Sequence, residues 1–357
     1  MSGNFRPPLP GYKPKPQSPT SDPRQFIRDF SFHNCKLGNQ GFQRLLIQVF
    51  GYAGHGKSSF INTCKIVWEN SSYNNYTKAS GSQGGDTMDR RTYQLTENII
   101  LVDNRGCSAM KSHEKGEIFA QLANLMPLNM KVDWCQGFKL ADRIVEAEPL
   151  VQPSDFISPI FVYSIGHAPN PDEKQELKEI LKTCREMTGV EAIVLLTHKS
   201  KGNLERAEAM FKDMGAKHVF SLENYTPKNQ SRSMEVHNSV MKFLYEVVQD
   251  AKFRVDYTRD PQKEMTERKI FVLNYIHNKG VEAHIQKLEG QKAAENASME
   301  RTMRVKTEEA DKQKQKDQKE HEEKIRQLEA EFERQRLRDQ FEHEQRMEKL
   351  QRGRKKK

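Results

Sequence analysis

The sequence has few cysteines and no long apolar run, and these two absences exclude several classes of protein. The cysteines are Cys35, Cys64, Cys107, Cys135 and Cys184, and no two of them form a C-x-x-C pair. This scatter argues against a disulfide framework or a zinc site and indicates reduced thiols. No stretch approaches the roughly 18 consecutive apolar residues of a membrane span, and the first residues lack the apolar segment of a signal peptide. We therefore expect a cytoplasmic protein without a transmembrane segment or intrinsic lipid anchor.

Aromatic residues are also scarce, at 8% of the chain, and none forms a stripe among basic residues. The formal net charge is +9, but much of the excess lies in the N-terminal tail and in residues 352–357. Surfaces that bind single-stranded nucleic acid interleave basic and aromatic side chains. We therefore expect no specific nucleic-acid binding.

Residues 51–58 read Gly-Tyr-Ala-Gly-His-Gly-Lys-Ser, which is a complete G-x-x-x-x-G-K-S phosphate-binding loop. An apolar, strand-like run precedes the loop and a helix-like segment follows it, which is the setting that distinguishes such a motif from a glycine-rich turn. In this motif the backbone N–H groups surround the α- and β-phosphates, the lysine reaches the β/γ oxygens, and the serine binds Mg²⁺. The predicted nucleotide-binding residues here are Gly51, Gly54, His55, Gly56, Lys57, Ser58 and Ser59, with Lys57 also a candidate catalytic residue.

From residue 40 to residue 250, strand-like and helix-like segments alternate. The apolar runs are Arg44–Phe50, Asn98–Asp103, Pro159–Ile165, Glu191–Thr197 and Lys217–Leu222, and the main helical stretches are Asp172–Met187 and Arg232–Val248. Strands that are apolar throughout are typical of a parallel sheet covered by crossover helices on both faces. We predict a three-layer α/β domain whose ligand lies at the carboxyl ends of the strands. Residues 131–158 are expected to form an insertion of irregular loop and short helix.

Other regions flank this domain. Residues 1–24 contain seven prolines and few apolar side chains, which predicts a disordered tail. Residues 252–290 carry enough apolar positions for a helical extension that packs on the domain. Residues 291–357 are dominated by charge and end in a basic tail. We predict a charged helix or a weak coiled coil for this last region, since Ile325, Leu328 and Phe332 begin a heptad seam that Gln335 and Asp339 interrupt.

Two further segments contain candidate metal and switch residues. The strand-like run 99–103 ends in Asp-Asn-Arg-Gly, a D-x-x-G motif in which Asp103 would hold Mg²⁺ and the N–H of Gly106 would contact the γ-phosphate. Between the two motifs, residues 81–90 are polar, and Thr87 is the candidate for a switch threonine that reaches Mg²⁺ and takes part in catalysis. The alternative is an ordinary strand-to-turn transition with a surface threonine.

The predicted base-binding segments are unusual. The strand 192–196 is followed by Thr197, His198, Lys199 and Ser200, where a typical GTPase has N-K-x-D or T-K-x-D. A serine cannot offer the carboxylate that accepts two hydrogen bonds from guanine. The next strand end supplies Glu223 and Asn224. We expect His198 to stack on the base while one of these two side chains makes the hydrogen bonds; the alternative is that His198 is a solvated loop residue.

These motifs together resemble the interferon-induced protein 44 family of vertebrate GTPase-like proteins. The resemblance rests on Gly-Lys-Ser-Ser-Phe-Ile-Asn at 56–62, Arg-Thr-Tyr at 91–93, Leu-Thr-His at 196–198 and Asn-Tyr at 224–225, and it covers residues 40–250. It implies a Ras-like P-loop GTPase domain, GTP/GDP and Mg²⁺ as cofactors, and a role in the innate antiviral response. Ser200 departs from the aspartate that many relatives keep.

Hydrolysis is a separate question. Cys107 occupies the place of the glutamine that orients water in Ras-like enzymes, and Arg90 and Arg91 are the nearest candidates for an arginine finger. We expect slow GTP hydrolysis, or hydrolysis that depends on a partner or on a homodimer formed through the GTPase domain or the C-terminal helix. One alternative is an interaction scaffold with a degenerate nucleotide site that acts on unidentified protein partners through its tails. Another is a P-loop ATPase or kinase.

Overall fold

The computed structural model describes residues 22–77, 89–110, 112–134 and 137–354. The chain divides into two compact units, Met1–Val281 and Glu282–Lys357. The predicted tail up to residue 21, Cys135 and the candidate switch residue Thr87 lie outside the described residues. Within the described ranges, no helix combines the length and the apolarity that a membrane span requires.

The first unit is built on a sheet of seven described strands. They are β1 (Arg44–Phe50), β2 (Asp89–Gln94), β3 (Ile99–Asp103), β4 (Met130–Lys131), β5 (Asp155–Ser164), β6 (Ile193–Thr197) and β7 (Val219–Ser221). Their order across the sheet is β4-β2-β3-β1-β5-β6-β7. Strands β3, β1, β5, β6 and β7 are parallel, whereas β2 runs antiparallel to β3 and β4. The phosphate-loop strand β1 is therefore central.

Helices connect these strands and cover the sheet. They are α1 (Pro23–Arg28), α2 (Lys57–Glu69), α3 (Ser112–Leu122), α4 (Phe138–Ala147), α5 (Pro171–Thr188), α6 (Leu204–Asp213), α7 (Met234–Val255) and α8 (Pro261–Arg354). Local signals explain where several of them begin. Helix α5 starts with a capping box between Asn170 and Glu173, and α7 is capped by the Ser233 side chain.

The sheet has a hydrophobic core on each face. On β6, Ile193 and Leu195 pack on one side with α2 and α7, while Val194 and Leu196 pack on the other with α3, α5 and α6. This alternation follows from the period of two along a strand. Burial of each such aliphatic side chain stabilises the fold by roughly 1.5–3 kcal/mol. The predicted three-layer α/β architecture with a mostly parallel sheet, followed by a long charged C-terminal helix, is confirmed.

One expectation about the fold is wrong in detail. Residues 131–158 were expected to be irregular loop and short helix, but β5 begins inside that range at Asp155. The ionic pair between Arg44 and the buried Asp155, with a 2.8 Å Nε–Oδ1 distance, pins the start of β5 beside β1. Phe156 then packs in the core against Phe32 and Phe42. The polar Asp155 concealed this extension because the groups that satisfy its charge, Arg44 on β1 and the Asn124 side chain after α3, are distant in sequence.

The first part of α8 packs on the domain, next to α3. The ring of Tyr275 meets the ring of Phe119 edge-on, with centroids 5.0 Å apart. The Nε of buried Arg268 donates to the carbonyl oxygen of Ala123 at 3.1 Å, just after α3 ends. This part of α8 is therefore attached to the helix that follows the D-x-x-G segment.

Candidate nucleotide-binding site

The predicted site residues converge at the carboxyl ends of four neighbouring strands. The phosphate loop follows β1, Asp103 ends β3, Ser164 ends β5 and Thr197 ends β6. Since these strands are parallel, their ends meet at one edge of the sheet. The structure thus brings together residues that lie up to about 170 positions apart in the sequence.

The phosphate loop needs its glycines for both conformation and space. Gly51 has a φ of +138°, and a Cβ there would lie 2.4 Å from the carbonyl oxygen of Val162. Gly56 has a φ of +91° and precedes α2 directly. A side chain at position 51 would collide with backbone that cannot move aside. The loop consequently presents the positive N-terminal end of α2 toward the site.

Lys57 is buried and already bonded. Its Nζ donates to the carbonyl oxygen of Tyr52 at 2.8 Å, within the phosphate loop itself. Burial lowers the pKa of Lys57, and the nearby charge of Asp103 only partly opposes this. A Cβ on Gly106 would lie 2.6 Å from Nζ, so the D-x-x-G glycine leaves room for the lysine head group. The two motifs are in contact at this point.

Ser58 and Asp103 form the second polar contact between the motifs. The Ser58 hydroxyl donates to Asp103 Oδ2 at 2.7 Å. Asp103 is buried, and its Oδ1 has no hydrogen-bond partner within the described part of the chain. Burial raises the pKa of Asp103 against the opposing influences of Lys57 and Ser58. A carboxylate and a hydroxyl beside a phosphate loop are oxygen ligands of the kind that Mg²⁺ prefers, so these residues fit the ion.

Cys107 joins the D-x-x-G segment to the phosphate loop through its backbone. Its carbonyl oxygen accepts from Ala53 N–H at 2.8 Å, and its own N–H donates to the Gly51 carbonyl at 3.3 Å. Its thiol is buried, and burial raises the pKa of this group to about 12. A neutral, buried thiol is only a weak hydrogen-bonding group, so it cannot orient a water molecule as the glutamine of Ras-like enzymes does.

The loops predicted to bind the base contact the phosphate loop from two strand ends. The Thr197 hydroxyl donates to the His55 carbonyl oxygen at 2.7 Å, and Asn224 Nδ2 donates to the Gly56 carbonyl oxygen at 3.2 Å. Asn224 is buried, yet its Oδ1 has no partner among the described residues. Leaving such an oxygen unpaired costs about 1–3 kcal/mol, which makes Asn224 a candidate to receive a hydrogen bond from a ligand.

His198 stands beside Asn224 in a left-handed backbone conformation, with a φ of +55°. Its Nδ1 lies 2.9 Å from the Ser164 hydroxyl. The Ser164 N–H in turn donates to Nδ1 of His55 at 3.2 Å. Burial lowers the pKa of His198, and burial together with neighbouring His167 and Lys57 lowers the pKa of His55 to about 3. Both imidazoles are therefore uncharged at neutral pH.

The remaining predicted residues occupy different positions. The Lys199 Nζ lies 3.1 Å from Glu235 at the start of α7, so it is engaged outside the phosphate loop. Glu223 lies close enough to His198 to raise that imidazole's pKa, against burial. Ser59 lies in the first turn of α2, where its carbonyl oxygen accepts from Thr63.

Arg90 is not available as an arginine finger in this structure. Its side chain is fully buried at the start of β2. The guanidinium donates to Gln48, Asn104 and Asn124 side-chain oxygens and to the Met126 carbonyl oxygen. Arg91, the other candidate, is half-exposed and paired with Asp89.

Ser164 and the aromatic group around His55 were not predicted from the sequence. The rings of Tyr52, Tyr163 and His167 surround the His55 ring, with centroids 5.0–5.3 Å away. Ser164 could have been found, since it ends the strand that follows β1 across the sheet. The aromatic group carries no motif, because its members come together only through the fold.

No family model matches the sequence, and no curated protein sequence does. Among solved structures, the chain is similar to the apo form of translation elongation factor SelB from Methanococcus maripaludis, with 13% sequence identity and a TM-score of 0.30. The match covers 57% of this chain and 35% of the SelB chain, so this chain spans about a third of the length of that protein. The site described above accordingly stands on its own geometry.

Proposed function

We propose that this chain is a guanine-nucleotide-binding switch of the P-loop GTPase type, with slow or partner-dependent GTP hydrolysis. The observation that carries the proposal is the 2.7 Å contact between Ser58 and the buried Asp103 beside Lys57. When bound, Mg²⁺ would be held by these two oxygens and would neutralise charge on the β- and γ-phosphates. Thr87 stays a predicted third ligand. Lys57 would exchange its bond to Tyr52 for the β/γ oxygens.

The site is better equipped to hold a triphosphate than to cleave it. Cys107 has a buried, neutral thiol, and Arg90 is engaged in a buried network. Neither residue supplies the water-orienting group or the arginine that accelerates GTP hydrolysis. Supply of such a group by a partner or by a second copy would explain an otherwise slow enzyme.

Guanine recognition is the less conventional part of the proposal. We assign the unpaired Oδ1 of Asn224 or the carboxylate of Glu223 to hydrogen bonding with the base, and the uncharged His198 ring to stacking. An uncharged imidazole suits stacking on a purine because it needs no counter-charge. The packing of α8 on α3 supports transmission of the nucleotide state from the Gly106 loop to that helix. A cytoplasmic, innate antiviral role stays a prediction from the family resemblance.

A second candidate function is an interaction scaffold whose domain binds nucleotide poorly. The observation that favours it is the close fit of the two motifs, in which Cys107 is bridged to the phosphate loop and Gly106 lies against Lys57. Ser200, which stands where a typical GTPase has the aspartate that binds guanine, also favours weak nucleotide binding.

Titration of fluorescent GTP, GDP and ATP analogues into the wild type and Lys57→Ala, each with Mg²⁺ and with EDTA, separates the two functions. If the chain is a switch, we expect tight binding of the guanine nucleotides, stronger with Mg²⁺ than with EDTA, and weaker binding of the ATP analogue. Lys57→Ala should abolish guanine-nucleotide binding. Equally weak binding of all three nucleotides to both proteins would falsify the switch and favour the scaffold. Thr307→Ala, which removes an exposed hydroxyl on α8, is the matched surface control.

A further inference from the structure

Seven of the eleven exposed large apolar side chains described in the second unit lie along one line of α8, and Val305, Leu328, Leu337 and Phe341 lie off it. Those on the line are Ile285, Leu288, Met299, Met303, Ile325, Phe332 and Met347, each between 43% and 81% exposed. Six of the seven follow an 11-residue repeat, and Ile285 does not. Residues 303, 325 and 347 are 22 apart, and 288, 299 and 332 follow the same period at a constant offset. We call these seven residues the apolar line.

The 11-residue period explains why the heptad pattern that begins at Ile325 does not continue beyond Phe332. Eleven residues in three turns correspond to about 3.67 residues per turn, close to the 3.6 of a straight α-helix. A heptad repeat corresponds to 3.5 residues per turn, so positions seven residues apart shift steadily around a straight helix and leave such a line within a few turns. Gln335 and Asp339 interrupt the heptad, but the 11-residue repeat continues to Met347. Repeats of this length pack without the left-handed supercoil of a heptad coiled coil.

Charged residues follow the same repeat. Midway between the 22-spaced apolar positions, the line carries Lys292, Lys314 and Arg336. Each of these cations has an acidic residue three positions before it and another three positions after it. The acidic pairs are Glu289 with Glu295, Asp311 with Asp317, and Glu333 with Asp339. Residues three positions away lie roughly 60° to either side of the line, at its flanks.

We propose that the apolar line is an interface at which two copies of this chain associate. Because each cation lies on the line and its acidic residues lie at the flanks, the cation of one copy can meet the acidic flanks of the other. The same alignment places apolar residues against apolar residues. The pattern is therefore complementary to itself, as an interface between identical helices requires.

The charge balance of this region favours a second copy over an anionic surface. The second unit, residues 282–357, contains 21 lysines and arginines against 18 aspartates and glutamates, and six of these cations lie in its last nine residues, 349–357. A membrane-surface or nucleic-acid-binding helix would carry a clear excess of positive charge. The proposal uses no residue of the nucleotide site, so it is independent of the proposed function.

The mass of the full chain in solution tests the interface. Light scattering at tens of micromolar, which reads mass independently of shape, is expected to give twice the 41.5 kDa of one chain. The double variant Met303→Glu/Ile325→Glu should halve that mass, because it buries like charges on the line. The matched control is Leu337→Glu/Phe341→Glu, which replaces similarly exposed apolar residues that lie more than about 90° around the helix from Met303 and Ile325. This control should keep the double mass.

A monomeric wild type, or equal dissociation of the two double variants, would overturn the proposal. Circular dichroism of each variant shows whether the helix is still formed, and nucleotide binding shows whether the first unit is still folded. We expect each double variant to have the same helical circular dichroism signal and the same nucleotide affinity as the wild type.

Disulfide cross-linking then locates the contact. In a Cys135→Ser background, single cysteines replace Met303, Ile325 or Phe341; Cys35, Cys64, Cys107 and Cys184 are buried. Cross-linking of Met303→Cys to itself indicates a parallel pair, and cross-linking only in a mixture with Ile325→Cys indicates an antiparallel pair about residue 314. Either result supports the interface. Efficient cross-linking of Phe341→Cys alone would contradict it.

Discussion

The phosphate half and the base half of the candidate site are built on different principles. On the phosphate side, backbone geometry determines the shape of the loop, since Gly51 and Gly56 adopt conformations that other residues rarely take. Lys57 and Asp103 add buried charges to this half. On the base side, the contacts come from side chains on the loops after β6 and β7. Backbone geometry tolerates almost no substitution, whereas loop side chains can be exchanged for others of similar reach. This difference explains how an ordinary phosphate loop can coexist with an unusual base site.

The largest effect should follow from breaking the backbone of the phosphate half. Gly51→Ala places a Cβ 2.4 Å from the Val162 carbonyl oxygen at a φ of +138°. We expect a loss of about 2–4 kcal/mol in the free energy of unfolding and no measurable nucleotide binding. Urea denaturation measures the first effect. Gly54→Ala is the control, because a Cβ there meets open space and only the positive φ costs about 1–2 kcal/mol. Equal losses in the two variants would contradict the packing argument.

Asp103→Asn should separate nucleotide affinity from stability within the same half. The substitution removes a buried negative charge, so the free energy of unfolding without Mg²⁺ should stay level or rise. The Mg²⁺-dependent gain in nucleotide affinity should fall by at least the 10- to 100-fold that loss of an outer-shell metal partner typically causes. Calorimetric titration with and without Mg²⁺ measures this gain. An unchanged Mg²⁺ dependence would remove Asp103 from the metal site.

On the base side, Glu223→Ala should change selectivity rather than affinity for phosphates. If Glu223 reads guanine, the preference for GDP over ADP should narrow about tenfold, the equivalent of one lost hydrogen bond to a charged group. Competition binding with the two nucleotides gives this ratio. Lys199→Ala is the control and should leave the ratio unchanged, since Lys199 is paired with Glu235. An unchanged preference for GDP over ADP in Glu223→Ala would indicate that Asn224, and not Glu223, makes the hydrogen bonds to guanine.

The smallest effect concerns His55, where the two halves meet. Its pKa is lowered to about 3, so this residue stabilises the fold above its unfolded pKa of about 6.5 and loses that contribution as the pH falls. By pH 5.5 the wild type should lose about 1.4 kcal/mol through this residue. His55→Asn keeps an acceptor for the Ser164 N–H without the titration. Urea denaturation at pH 8 and pH 5.5 should show a smaller pH dependence in the variant; parallel behaviour would argue against a buried, neutral His55.

Much of this architecture could be predicted because its signals are local. The apolar strands β1, β3, β5 and β6 and the capped helix α5 were expected within a few residues. Strand β4 was not expected, because it is two exposed residues long and is defined only by pairing with β2. The start of β5 at Asp155 depends on Arg44, which is more than 100 positions away. Local patterns cannot report such partners.

The same reasoning applies to the site. The phosphate loop and the D-x-x-G motif are contiguous, and the structure places both at one edge of the sheet. The bridge between Tyr52 and Cys107 and the Ser164–His198 contact join separate loops, so they carry no sequence signature. The 11-residue period of α8 is present in the sequence, but a heptad pattern does not reveal it. For α8, the prediction was limited by the assumption of a heptad period and not by a long distance between contacting residues in the sequence.

The buried network of Arg90 has a consequence for how this protein can change over evolutionary time. One guanidinium serves oxygens on β1, at the end of β3 and after α3. Loss of the arginine would leave several buried acceptors unpaired at once, and each would cost about 1–3 kcal/mol. A single substitution is therefore strongly disfavoured, although the residue touches none of the proposed nucleotide contacts. Among related sequences, positions 48, 90, 104 and 124 should be inherited as a set or replaced together.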